Sequence, residues 1–205
     1  MTDAFQNLMN LRTFPRQVAD KHIFYLKNFA ASGPQNGYRA KISATLVNGI
    51  NEMTVAQSEG GADYFFPYIW EGTGNVAVGP VNGIAEGTIV VTGGMNGCAL
   101  EVTTRNDQFV FYHDKNGYSM GKVRNAGTTV CRITSRAYWP NEFERIGQRG
   151  QMPLVQFICV YRHSCWHVLS FGLYIDNHRN VTGGFEPVGG RYRGHFNDNI
   201  KLMQA

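Results

Sequence analysis

Residues 98–113 read CALEVTTRNDQFVFYH, and this stretch decides the fold. Residues 99–104 alternate apolar and polar, as do residues 108–112. Arg105, Asn106 and Asp107 between them form a turn-forming cluster. A hairpin centred between Arg105 and Asn106 sets Cys98 opposite His113, Leu100 opposite Phe111 and Val102 opposite Phe109. Directly opposed residues hold their Cβ atoms about 5 Å apart. Strand parity places Cys98, Leu100 and Val102 on the same side as Phe109, Phe111 and His113, and a one-residue slip breaks that match. The reading is therefore a thiol beside an imidazole at the open end of an apolar hairpin face, reachable from solvent. A nucleophile with an adjacent base is the minimum for covalent acyl transfer.

The approach to Cys98 fits the same chemistry. A short strand at 88–92 leads into Gly93-Gly94-Met95-Asn96-Gly97. Glycines permit positive φ and close backbone approach, so this loop is able to aim amides at a developing oxyanion. The backbone N–H groups of Cys98 and Gly97 are the candidate donors. The plainer reading is a Gly-rich turn beside a buried structural cysteine.

The segment Thr92-Gly93-Gly94-Met95-Asn96-Gly97-Cys98, with His113 downstream, resembles the active-site motif of bacterial toxin glutamine deamidases. These are the catalytic domain of the cytotoxic necrotizing factors and the stand-alone Burkholderia lethal factor. They carry Leu-Ser-Gly-Cys where this chain has Met95-Asn96-Gly97-Cys98, so Asn96 replaces the serine. The Cys-to-His interval is similar to that of the necrotizing factors. Thr92 occupies the place of the lethal factor's third catalytic residue, and the resemblance covers residues 88–113.

What the resemblance implies is hydrolysis of a glutamine carboxamide of a host protein, either a Rho-type GTPase or a translation-initiation RNA helicase. Cys98 is then the nucleophile and His113 its base, with Thr92 hydrogen bonded to the second imidazole nitrogen, as in triads generally. No cofactor and no metal are needed, and Cys98 is expected to alkylate ahead of the other cysteines. The alternatives are another cysteine hydrolase (a peptidase, amidase or transglutaminase) and a non-catalytic β-sandwich binding module. A cysteine leading into strand-like sequence argues against enzymes that activate theirs at a helix N-terminus.

Composition sets the frame. The 205 residues include 24 glycines and frequent aromatics, 13% of the chain, a pattern of short strands and tight turns. One catalytic domain, 1–205, is expected, acting as a monomer. The formal charge of +4 is too mild to mark a nucleic-acid binder. Four cysteines make no disulfide framework for this length, which points to a reducing compartment. No secretory signal and no membrane span are read. Export from a bacterium by a route not visible in the sequence, with action in the host cytosol, follows from the resemblance.

The expected fold class is α+β: a mixed β-sandwich of short strands flanked by a few helices and long loops. Two N-terminal helices are expected in about 2–31. The first is capped by Thr2 or Asp3, with Phe5, Leu8, Met9 and Leu11 inward. The second runs from Pro15 to about Ala31, with Val18, Ala19, His22, Ile23, Leu26 and Ala30 on one stripe. Residues 32–37 read as a loop. Strands are expected at 38–47, 52–57, 63–70, 88–92, 98–104, 108–113, 128–134, 154–162 and 166–174, and a short helix at 140–149. Cys159, His163, Cys165 and His167 cluster without a zinc-finger spacing and read as a core hairpin. His178, Arg179, Arg191, Arg193 and His195 make a basic C-terminal region, suited to target docking, to a nucleic-acid patch or simply to solvated loops. Met95 and the aromatics of 63–70 read as core, or as a rim to the cleft.

Overall fold

The computed structural model describes residues 3–27, 36–70, 72–115, 117–138, 151–176 and 187–194. Its helices are α1 (Ala4–Thr13), α2 (Pro15–Ala19) and α3 (Ser135–Tyr138). Its strands are β1 (Ile23–Leu26), β2 (Tyr38–Val47), β3 (Ile50–Gln57), β4 (Asp63–Phe66), β5 (Thr73–Val78), β6 (Ile89–Thr92), β7 (Ala99–Arg105), β8 (Gln108–Asp114), β9 (Thr128–Ile133), β10 (Gln151–Arg162), β11 (Cys165–Asp176) and β12 (Pro187–Gly194). They form an eight-stranded sheet, β1-β3-β2-β4-β6-β10-β11-β12, and a four-stranded sheet, β5-β8-β7-β9. The larger sheet is mixed, with β1–β3 and β4–β6 parallel. The smaller is antiparallel throughout. The fold is the α+β mixed-sheet class read from the sequence.

Around β6 and β10 the larger sheet is covered on both faces, and period-two alternation assigns its side chains. Along β10, Leu154, Ile158 and Val160 join the core under the helices with Leu8, Leu11 and Phe24. Val155, Phe157, Cys159 and Tyr161 join the core between the sheets with Leu100, Val102 and Phe111. Phe111 stands edge-on to Trp166, ring centroids 4.9 Å apart. Burying each such ring stabilises the sandwich by roughly 2–3 kcal/mol.

Helix α1 starts where Asp3 accepts the Gln6 amide at 2.7 Å. It stops before Pro15, which disfavours helical backbone at the residue ahead of it. Leu8 and Leu11 face inward as expected, but Phe5 is 63% exposed and Met9 is exposed too. The inward face is completed instead by Ala4 and Asn7. Arg12 clamps Asp63 through two bonds, 2.6 and 2.7 Å, and also donates to the Gly87 carbonyl. Asp63 in turn accepts the Ile89 amide, so α1 fixes the start of the strand that carries Thr92.

The second helix is much shorter than expected. It ends at Ala19, and Ile23–Leu26 forms β1, parallel to Ile50–Met53. All four residues of β1 are buried. A short, continuous apolar run rich in aromatic and β-branched residues suits a strand covered on both faces. Residues 28–31 of the expected helix, 32–35 of the expected loop and the expected helix at 140–149 lie outside the described residues. The nine expected strands are present, with ends shifted by a few residues. The strands β1, β5 and β12 were not foreseen.

The decisive hairpin forms with a register two residues away from the expected one. Leu100 faces His113, Val102 faces Phe111, and Arg105 pairs with Gln108. The turn is Asn106-Asp107, with φ of +49° and +57°. A two-residue loop with both φ positive matches the twist of the flanking strands, and Asn and Asp tolerate it. A two-residue shift keeps every side chain on its face, so the apolar match survives.

Candidate active site

Three segments meet at the end of this hairpin. β8 carries His113, the end of β6 carries Thr92, and the loop ahead of β7 carries Cys98. In the observed register Cys98 is the diagonal neighbour of His113, not its opposite. Diagonal Cβ atoms lie about 7–8 Å apart, within reach of an aromatic side chain.

Thr92 reaches the site because the chain bulges there. The β6–β10 ladder pairs Val91 with Ile158, and an isolated bridge then pairs Met95 with Val155. Residues 92, 93 and 94 thus stand opposite only 156 and 157. Such an extra residue bends a strand and re-aims its side chains. Gly94 lets the bend pack closely against Leu154, whose side chain would have to shift to admit a Cβ there. Met95, fully buried, anchors the return with two backbone bonds to Val155, 2.7 and 2.9 Å.

Thr92 Oγ1 and His113 Nδ1 are hydrogen bonded at 2.8 Å. His113 is 0% exposed, and its Nε2 has no hydrogen-bond partner among the described residues. Burial holds the imidazole down at about 3, against a modest opposing pull from Asp114, so His113 is neutral at physiological pH. Cys98 is 6% exposed. Burial pushes its thiol up to about 11, and Asp114 adds to the rise, while a hydrogen bond from the Asn96 backbone and the Lys115 charge work against it. The resting pair is therefore thiol and imidazole, not thiolate and imidazolium.

The two oxyanion candidates separate. The Tyr138 hydroxyl donates to the Cys98 carbonyl at 2.5 Å and lies against the Gly97 backbone. Gly97 has φ of +89°, the left-handed region that favours glycine. The Cys98 amide has no backbone carbonyl partner among the described residues. Asp114 accepts the amides of Ser119 and Met120 and so shapes the loop after β8.

The aromatics of 63–70, read from the sequence as core or as rim, divide between the two roles. Tyr68 lies with its ring 5.1 Å from the His113 imidazole. Burial raises its phenol, and a charged Cys98 adds to the rise. Trp70 is 66% exposed and carries Lys115 Nζ 4.0 Å from its ring centroid. Phe65 and Phe66 are core. The segment 63–70 thus supplies both core and rim.

The second cysteine cluster does not converge. Cys159 lies in the core between the sheets, and His163 in the β10–β11 turn. Cys165 Sγ is 3.1 Å from the Arg162 carbonyl and 3.4 Å from His167 Nε2. Among the described residues no group of three or more His, Cys, Asp or Glu is arranged for a metal. Of the basic C-terminal residues, Arg191 and Arg193 fall in β12, and His178, Arg179 and His195 lie outside the described residues. No described helix is long and apolar enough to cross a membrane.

The burial of Cys98 sets a different order of alkylation against the one expected from the sequence. Burial raises Cys98 to about 11, Cys131 to about 12, and Cys159 well above its ordinary value. Cys165 is only partly buried and has an imidazole beside it. In the free protein at neutral pH, iodoacetamide is expected to reach Cys165 first, at least about tenfold ahead of Cys98, since reactivity follows access and burial disfavours the Cys98 thiolate. Peptide mapping of a time course checks this.

No protein-family model matches the chain, and no curated protein matches it. Among solved structures, the chain is similar to the C-terminal domain of CNFy from Yersinia pseudotuberculosis. The identity is 9%, the match covers 80% of this chain and 74% of that one, and the TM-score is 0.32.

Proposed function

We propose that this chain is a cysteine-dependent deamidase that converts a glutamine side chain of a host protein to glutamate. The observation that carries the proposal is the imidazole of His113. One nitrogen is tied to Thr92 at 2.8 Å, and the other is buried without a partner on the hairpin face that bears Cys98. With its proton on Nδ1, the ring donates to Thr92 and leaves Nε2 as a bare acceptor, the state a general base needs.

The steps follow from the neutral resting pair. The thiol proton passes to His113 Nε2 as sulfur attacks the carboxamide carbon. The Cys98 amide faces no competing backbone acceptor and supports the oxyanion. The imidazolium gives its proton to the departing nitrogen, and ammonia leaves. Water, deprotonated by Nε2, then opens the thioester to the carboxylic acid and restores the thiol. Catalytic hydrogen bonds commonly tighten only when substrate binds, consistent with the unpaired Nε2 of the free protein. The residues assigned are Cys98, His113 and Thr92, in one catalytic domain acting as a monomer without a cofactor. In this reading the protein is delivered from a bacterium and acts in the host cytosol on a Rho-type GTPase or a translation-initiation helicase. Four free cysteines suit a reducing compartment.

The experiment is peptide mass spectrometry of a host lysate treated with the protein. The expected result is a gain of about one dalton at one glutamine of one protein, the difference between carboxamide and carboxylic acid. The burial of Cys98 and His113 favours, as a second reading, a binding module with a structural cysteine. A lysate without any deamidated glutamine supports that module.

A further inference from the structure

We infer that Gln156 is the positioning residue of this site: its side-chain amide plugs the β6–β10 bulge and holds Thr92 against His113. The kinetic part of the inference rests on the deamidase reading, while the geometric part stands without it.

Gln156 is 0% exposed, an unusual place for a primary amide. It lies on β10 between Leu154 and Ile158, on the face packed beneath the helices, where its neighbours are apolar. A buried amide is costly unless its donors and acceptor are used. Here they are. Nε2 donates to the Thr92 carbonyl at 2.7 Å and to the Phe157 carbonyl at 2.9 Å, and Oε1 accepts the Leu26 amide at 3.3 Å.

The location explains the need. Val91 is the last ladder residue of β6 against β10, and pairing resumes at Met95. Between them the backbone has left β10, so Thr92 pairs with Phe66 of β4 but has no backbone partner on β10. Gln156 supplies that partner from its side chain. It fixes the Thr92 backbone from one face of the sheet while Thr92 Oγ1 reaches His113 on the other. An apolar residue at 156 would leave the Thr92 carbonyl and the Leu26 amide without these bonds, and the bulge free to relax. The threonine hydroxyl would then drift from Nδ1, and the proton would redistribute between the two ring nitrogens. Misplacement of about 1 Å in a catalytic constellation costs on the order of a hundredfold in rate.

The test uses Gln156→Met, which keeps length and removes both donors, and Gln156→Glu, which keeps the acceptor toward Leu26. Nitrogen-15 NMR of histidine-labelled protein reads the His113 tautomer directly. The wild type is expected to hold its proton on Nδ1. Either folded variant is expected to shift it toward Nε2, with kcat falling ten- to a hundredfold, about the cost of misplacement, and KM unchanged. In a Thr92→Val background, Gln156→Met is expected to change neither signal further, because its action runs through Thr92. The inference is overturned if the folded variants keep the wild-type tautomer, or if the two substitutions act additively. Should only one variant fold, its spectrum alone decides. A tautomer shift in a protein whose wild type never deamidates glutamine would defeat the enzymatic reading and leave the positioning role standing.

Discussion

Cys98→Ser is expected to lower deamidation by at least about a thousandfold while leaving the protein folded. Removing a nucleophile from a nucleophile–base pair removes nearly all the chemistry of the pair, because its members act as a unit. What remains comes from binding and oxyanion stabilisation. Folding is spared because serine is slightly smaller and meets the same Asn96 amide that now donates to sulfur. Its hydroxyl therefore gains a partner in place of the thiol's weak one. Circular dichroism melts and the glutamine mass shift are measured on the same preparation. A folded Cys98→Ser protein that still deamidates at the wild-type rate rejects the mechanism.

The second large effect is on stability in acid. Folding holds His113 at about 3, against an ordinary 6.5. Below 6.5 the unfolded chain takes up a proton that the native site refuses. The contribution of His113 is therefore fully present above pH 6.5 and is lost as pH falls from 6.5 toward 3. The slope approaches 1.4 kcal/mol per pH unit, and roughly 2 kcal/mol disappears between pH 7.5 and pH 5. Urea denaturation of wild type and His113→Gln at both pH values isolates the effect, since His167, also lowered by burial, titrates in both proteins. The wild type is expected to lose about 2 kcal/mol more than the variant over that interval. Equal losses would place a charged or solvated imidazole at position 113.

Much of this site was legible locally. Residues 92–113 hold the bulge glycines, the nucleophile, the turn and the base, all within one supersecondary unit. Strand parity set Cys98 and His113 on one face without any tertiary information. Register was not legible in the same way. Side chains repeat every two residues, so pairings that differ by two present identical apolar faces. Only the turn distinguishes them, and Arg105, Asn106 and Asp107 are all acceptable turn residues. The stripe Val18, Ala19, His22, Ile23, Leu26 misled for a related reason: a short buried apolar run does not declare its period. Strand β5 hid because Gly74 and Ala77 carry little strand propensity, although all six of its residues pair with β8, from Phe109 to Asp114.

Tyr138 and Gln156 were invisible for a different reason. Tyr138 meets Cys98 across 40 positions, and Gln156 meets Thr92 across 64 and Leu26 across 130. Such contacts are products of sheet order, and no local pattern announces them. Tyr68 stands among the aromatics read as core or rim, and its ring reaches His113 because β4 lies beside β6 and near β8.

The span of the Gln156 bonds bears on how the molecule comes into being. Residues 92 to 113 leave the ribosome well before β10 exists, and Leu26 waits longest for its acceptor. A nascent chain truncated before residue 156 contains every reacting group and lacks the amide that aligns them. Distant pairings of this kind also make folding slow. Competence is thus expected to arrive late and all at once, when the C-terminal hairpin docks, and a protein threaded through a narrow pore would regain it only by completing that last step again.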